Sequence, residues 1–132
     1  MGLITRLLGI CATQVPLNSD CWTVKGSQVE IKLDRARELT TPGGAIRLEG
    51  SGLPRRLLVF RGGDGELHAF VNKCSHMGRR LDPVGTGSQV QCCSVGGTTF
   101  DLTGNRLSGL GRGDVKTFPV AVDGNTATID LS

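Results

Sequence analysis

The stretch LLVFRGGDGELHAFVNKCSH, Leu57 to His76, decides how this chain folds. Arg56 to Arg61 predicts an apolar strand, Gly62-Gly63-Asp64-Gly65 a tight hairpin turn, and Glu66 to Asn72 the return strand. Side chains alternate along a strand, so Leu67, Ala69 and Val71 share one face and His68 and Phe70 the other. The hairpin runs directly into Cys74-Ser75-His76. One intervening residue lets a thiolate and an imidazole point the same way from a tight turn, a pairing suited to iron–sulfur clusters or zinc.

A second loop follows in VQCCSVGGTTFD, Val90 to Asp101. Cys92 and Cys93 are adjacent, two glycines stand at 96 and 97, and Phe100-Asp101 closes the segment. Around these loops the chain is rich in turns. Twenty glycines without a collagen-like period and five prolines favour short strands over long helices. Strands are expected at Cys21–Val24, Val29–Leu33, Ala45–Leu48, Gln89–Gln91, Thr98–Leu102, Phe118–Val122 and Thr126–Leu131. A short helix capped by Asp34 is expected over Arg35–Leu39, and an amphipathic turn or two over residues 3–10. The pattern is an all-β fold of small antiparallel sheets.

At 132 residues, 38% hydrophobic and 20% charged, the chain suits one compact globular domain. One Trp, four Phe and no Tyr leave little for a base-stacking surface, which excludes nucleic acid as the expected partner. Net charge is only +3. Arg55-Arg56 and Arg79-Arg80 are the densest basic points, readable as solvated charge or as a docking face for an acidic partner. No stretch approaches the roughly 20 apolar residues of a membrane span, and MGLITRLLGIC lacks the form of a secretion or lipidation signal. The expected setting is cytoplasmic. There the odd set Cys11, Cys21, Cys74, Cys92 and Cys93 argues for metal or redox chemistry over a disulfide framework.

The two loops together resemble the Rieske family of [2Fe–2S] proteins. That family's pattern is Cys-x-His, a spacer of fifteen or more residues, then Cys-x-x-His-Gly and an aromatic–Asp pair. Cys74-Ser75-His76 matches the first loop; Cys93, Gly97 and Phe100-Asp101 match the second. The resemblance runs from about residue 44 to 131, which divides the chain into an N-terminal extension, 1–43, packing on a Rieske-like domain, 44–132. It implies a Rieske-like fold with two cluster-binding loops and a one-electron carrier of a [2Fe–2S] cluster, not an enzyme. It also implies a redox partner protein, a reductase or oxygenase/reductase component. The family's second histidine falls on Gly96, and its usual proline after the second cysteine on Ser94.

Residue by residue, the resemblance carries over only Cys74, His76 and Cys93. Cys92 is the favoured fourth ligand, giving a Cys₃His set. Alternation would turn its side chain away from that of Cys93, so the chain would have to leave the strand before Cys92 or the whole loop would have to shift. Cys11 and Cys21 are the next candidates, although a cysteine commonly packs as a small buried hydrophobe. His68, mid-strand, is a poorer one, and water or an external ligand is a further option. Two other readings stay open. One is a cluster-free Rieske-fold binding subunit, like the small subunit of NADH-dependent nitrite reductases. The other is a structural zinc or iron on Cys74, His76, Cys92 and Cys93, with a Cys74–Cys93 disulfide conceivable without metal. Trp22 is expected in the core, and the glycines at 109, 111 and 113 in a loop covering the cluster.

Overall fold

The computed structural model describes residues 11–50, 52–74, 78–93, 98–108 and 113–132. Twelve strands occur among them: β1 Trp22–Lys25, β2 Gln28–Lys32, β3 Ala45–Leu48, β4 Leu57–Arg61, β5 Leu67–Val71, β6 Leu81–Val84, β7 Gln89–Cys92, β8 Thr99–Phe100, β9 Arg106–Ser108, β10 Thr117–Phe118, β11 Val120–Asp123 and β12 Thr126–Asp130. They form three antiparallel four-stranded sheets, ordered β1-β2-β12-β11, β10-β5-β4-β3 and β6-β7-β8-β9. The all-β expectation holds, and no described helix is long and apolar enough to cross a membrane.

The central sheet rests on the hairpin read first. Leu57 pairs with Val71 and Arg61 with Leu67, which leaves the turn at Gly62–Glu66. Gly65 has φ 82°, a conformation L side chains rarely adopt, and Asp64 Oδ1 accepts the Glu66 amide at 3.0 Å. Leu57 to Phe60 are all fully buried, as are Phe70 and Ala69 on the partner strand. Both faces of this sheet are therefore covered, and alternation along β5 does not separate core from solvent. His68 is the half-buried exception, stacked on Phe60 with ring centroids 5.4 Å apart and held by the Asp64 carboxylate at 3.0 Å.

Three expectations need correction. The helix over Arg35–Leu39 is a pair of 3-10 turns, Leu33–Arg35 and Arg37–Thr40, with no side-chain cap. Five residues do not overcome the cost of nucleating an α-helix. Asp34 is instead engaged by Asn125, which accepts its amide at 2.8 Å and donates to its carboxylate at 2.7 Å. The strand expected at Phe118–Val122 is two strands, divided at Pro119. There the chain passes from pairing with β5 to pairing with β12, and the missing amide makes proline the natural hinge. Trp22 is half-buried against the core instead of inside it.

Two strands had no counterpart in the sequence reading, β6 and β9. β6 contains Pro83, which a sheet tolerates because β6 is an edge strand. β9 is three exposed residues, Arg106–Ser108, with no apolar pattern. Residues 22–32, assigned by sequence to the N-terminal extension, supply β1 and β2. β2 is hydrogen-bonded along its length to β12. The amphipathic turn at 3–10 and the glycines at 109 and 111 lie outside the described residues.

Candidate metal centre

The two cysteine loops leave different sheets and meet on one short segment. Cys74 follows β5, and its amide donates to the Arg79 carbonyl at 2.7 Å. Cys93 follows β7, and its amide donates to the Arg80 carbonyl at 3.0 Å. Consecutive carbonyls thus hold both loop cysteines, each no more than 2% exposed. Spacing alone could not show this convergence, because the joining segment is defined by where β6 starts.

The first loop is tied at both ends. The Asn72 amide donates to the Arg56 carbonyl at 2.9 Å, and its side-chain Oδ1 accepts the Leu81 amide at 2.7 Å. Asn72 is 1% exposed, so one buried carboxamide spans the segment that contains Cys74-x-His76. The loop closes further where the Gly78 amide meets the Cys74 carbonyl at 3.1 Å. Gly78 has φ 68°, and its carbonyl accepts from Arg56 Nη2 at 2.9 Å. Asn72 is a positioning residue that sequence reasoning missed. An Asn at the end of a strand two residues before a motif is the only signal it left.

Arg80, one of the basic points read as solvated or docking charge, is committed within the fold. Its guanidinium grips Glu49 in a bidentate pair at 2.7 and 2.9 Å. Hydrogen bonding from Arg80 is the main cause that holds the Glu49 carboxyl below its ordinary value of 4.5, with the charges of Arg80, Arg47 and Arg56 adding to it. In the second loop, Asp101 accepts from Thr103 and Asn105. The Thr103 hydroxyl contributes most to lowering its pKa. Phe100 beside it is fully buried. The Phe-Asp pair therefore anchors the turn after the loop.

The candidate ligands are distributed as follows. Cys74, Cys92 and Cys93 are buried at this end of the molecule. His76, Ser94 and Gly96 lie outside the described residues. Strand β7 continues through Cys92, which pairs with Leu81 and donates its amide to the Thr98 carbonyl at 2.7 Å. Cys92 is the last residue of β7 and packs within the hydrophobic core. Cys21 is fully buried there too. Its thiol pKa is raised, first by burial and then by the charges of Glu38 and Asp20. The carboxylate of Asp64 engages His68.

Cys11 is the unexpected member. It is not a lone buried thiol but is disulfide-bonded to Cys93, 82 residues away, with Cα atoms 5.4 Å apart. A Cys74–Cys93 bridge is accordingly not formed. Cys11 arrives by a backbone clamp: the Ala12 and Thr13 amides donate to the two oxygens of Asp82 at 2.7 and 2.9 Å. The Gln14 carbonyl then accepts the Arg47 amide at 2.9 Å. The sulfurs of Cys11 and Cys93 and the Asp82 carboxylate lie within 4.8 Å of one another, all buried. Two soft thiolate donors side by side suit iron or zinc once the bridge is reduced.

Comparison with known proteins bears on this geometry. The model of the Rieske [2Fe–2S] domain matches residues 25–119. The chain is 33% identical over 70 residues to the ferredoxin component of the naphthalene 1,2-dioxygenase system of Pseudomonas aeruginosa. That match covers 52% of this chain and 67% of the ferredoxin. It is 42% identical over 52 residues to the alpha subunit of toluate 1,2-dioxygenase from Pseudomonas putida, covering 39% of this chain but 12% of that subunit. Among solved structures, the ferredoxin of carbazole 1,9a-dioxygenase from Nocardioides aromaticivorans is similar with a TM-score of 0.61 at 24% identity. The match covers 76% of this chain and 93% of that one. A plasma-membrane Rieske protein of the cyanobacterium Synechocystis gives 0.55 at 24% identity, covering 66% and 86%. At these identities the structural likenesses speak to the fold.

Proposed function

Because the chain belongs to the Rieske [2Fe–2S] family, we propose that it is a one-electron carrier with an atypically ligated cluster. Cys74 and Cys93 hold one iron; His76 and a third thiolate hold the other. Two thiols compete for that last place: Cys92 adjoins Cys93 in sequence, and Cys11 is joined to it through sulfur. The observation that carries this reading is the convergence of Cys74 and Cys93 on the consecutive carbonyls of Arg79 and Arg80. When bound, the cluster supplies a one-electron couple. The residues of this chain bury the donor cysteines, fasten the first loop through Asn72 and Gly78, and tie both loops to the carbonyls of Arg79 and Arg80.

The partner is a redox protein, and the relatives being components of dioxygenase systems supports a reductase or oxygenase component in that place. Arg55, Arg56 and Lys73 line a surface pocket of about 580 Å³ beside Gly78, at the edge of the first loop. This cationic rim suits an acidic docking face and gives association a salt dependence.

The test is a redox titration followed by EPR on the full chain, isolated without oxygen and treated with a dithiol. The expected result is a single one-electron wave. Its potential lies below the Rieske range of about −150 to +300 mV and above the roughly −400 mV of all-cysteine plant-type ferredoxins, because a third thiolate adds negative charge. A potential above about +100 mV rules out the third thiolate. The disulfide favours a second reading, a cluster-free binding module, because it occupies one of the three family donors. Protein that shows no signal after reduction supports that module instead.

A further inference from the structure

We infer that Cys11 supplies the ligand that Gly96 cannot, and that the Cys11–Cys93 disulfide is the oxidised, metal-free form of the same site. The inference rests on the proposed cluster and names its fourth donor. Three observations converge on it. First, the sulfur of Cys11 is bonded to that of Cys93, so the fold already carries a distant thiol to a loop cysteine. Second, the approach is built: both Asp82 oxygens are used by the Ala12 and Thr13 amides, and Asp82 is itself 7% exposed. A buried carboxylate spent on two backbone amides, 70 and 69 residues away in sequence, fixes where residue 11 stands. Third, the rival thiol Cys92 stays in register in β7, opposite Leu81, with its amide committed to Thr98.

The chemistry balances with a dithiol as reductant. The dithiol gives two electrons and two protons; the bond between Cys11 and Cys93 breaks to two thiols, and the dithiol closes to its own disulfide. Each thiol then gives its proton to solvent as it binds iron. In the disulfide form neither sulfur is a thiolate, so the form that holds the bridge cannot hold iron on Cys93. Asp82 is a positioning residue: it holds the segment, not the metal.

The experiment compares the full chain with its Cys11→Ser, Cys92→Ser and Cys11→His variants. Each is incubated anaerobically with ferric iron and sulfide, with and without prior dithiol. Iron and acid-labile sulfide are read after desalting, and the EPR spectrum after reduction with dithionite. The expected result is at least tenfold more iron in the dithiol-treated protein than in the untreated one. Cys92→Ser loads like the unaltered chain, and Cys11→Ser retains less than a tenth of the iron. Cys11→His loads again with an altered EPR spectrum, because an imidazole restores a donor where a serine does not. Equal loading of Cys11→Ser and the unaltered chain overturns the assignment, and failure of Cys92→Ser alone transfers it to Cys92. An unaltered chain that takes no iron after reduction overturns the cluster reading and this inference with it. A second readout does not depend on a variant folding. After dithiol treatment, alkylation and mass spectrometry should find Cys11 at least tenfold slower to react in iron-loaded protein than in the same protein stripped by a chelator. Equal rates overturn the inference.

Discussion

The two cysteine loops are built to different standards. The first leaves a sheet whose strands β4 and β5 are covered on both faces, and hydrogen bonds of Asn72, Gly78 and Arg56 fasten it on either side of Cys74. The second leaves the sheet β6-β7-β8-β9, which ends in the exposed strand β9. Its fastening comes from far away, through Arg80 and through the Cys11 segment clamped on Asp82. The first loop is thus held by hydrogen bonds that reach back as far as Arg56. The second is held in addition by a covalent link across 82 residues.

The contrast can be broken most severely at the core beneath the first loop. Phe70→Ala removes a fully buried ring from β5 and should cost about 3–5 kcal/mol, measured by denaturant unfolding of the full chain. A loss below about 1 kcal/mol would mean the site had collapsed around the change, and the first loop would not rest on a rigid floor. Asn72→Ala should cost about 1–3 kcal/mol, because it leaves the Leu81 amide buried without its partner. It should also loosen iron from Cys74 before Cys93, which selective alkylation resolves.

On the second loop's side, Arg80→Ala should cost no more than about 1 kcal/mol, since Arg80 is 34% and Glu49 24% exposed. The pH dependence has a definite sign. Glu49 has a lowered folded pKa, so its contribution is present above its ordinary 4.5 and lost as pH falls through the lower folded value. Unfolding followed from pH 6 down to 3 should show this loss, diminished in Arg80→Ala. An unchanged acid slope would remove Glu49 from the account. The smallest effect on stability, within about 0.5 kcal/mol, is expected for Arg55→Glu with Lys73→Glu. Those changes should nonetheless weaken binding to an acidic redox partner several-fold and flatten its salt dependence.

Much of this organisation was legible in the sequence, for local reasons. The turn Gly62–Gly65 announces its hairpin, and the hairpin leads directly to Cys74. Features that depend on distant partners were not legible. Pro83 hides β6 because only its place at a sheet edge makes the residue tolerable, and Pro119 marks a change of sheet that no local pattern shows. Asp34 reads as a helix cap until Asn125, 91 residues on, is known to occupy it. Cys11 reads as an isolated thiol because nothing near it in sequence mentions Cys93 or Asp82. From the sequence, Cys92 beside Cys93 is accordingly the nearer candidate donor and Cys11 the remote one.

The most direct test of the central claim is the iron and acid-labile sulfide content of the full chain, purified without oxygen in the presence of a dithiol. Two irons and two sulfides per chain, in a coloured protein, are the result this account predicts. Colourless protein without iron, or one zinc per chain and no sulfide, would contradict it.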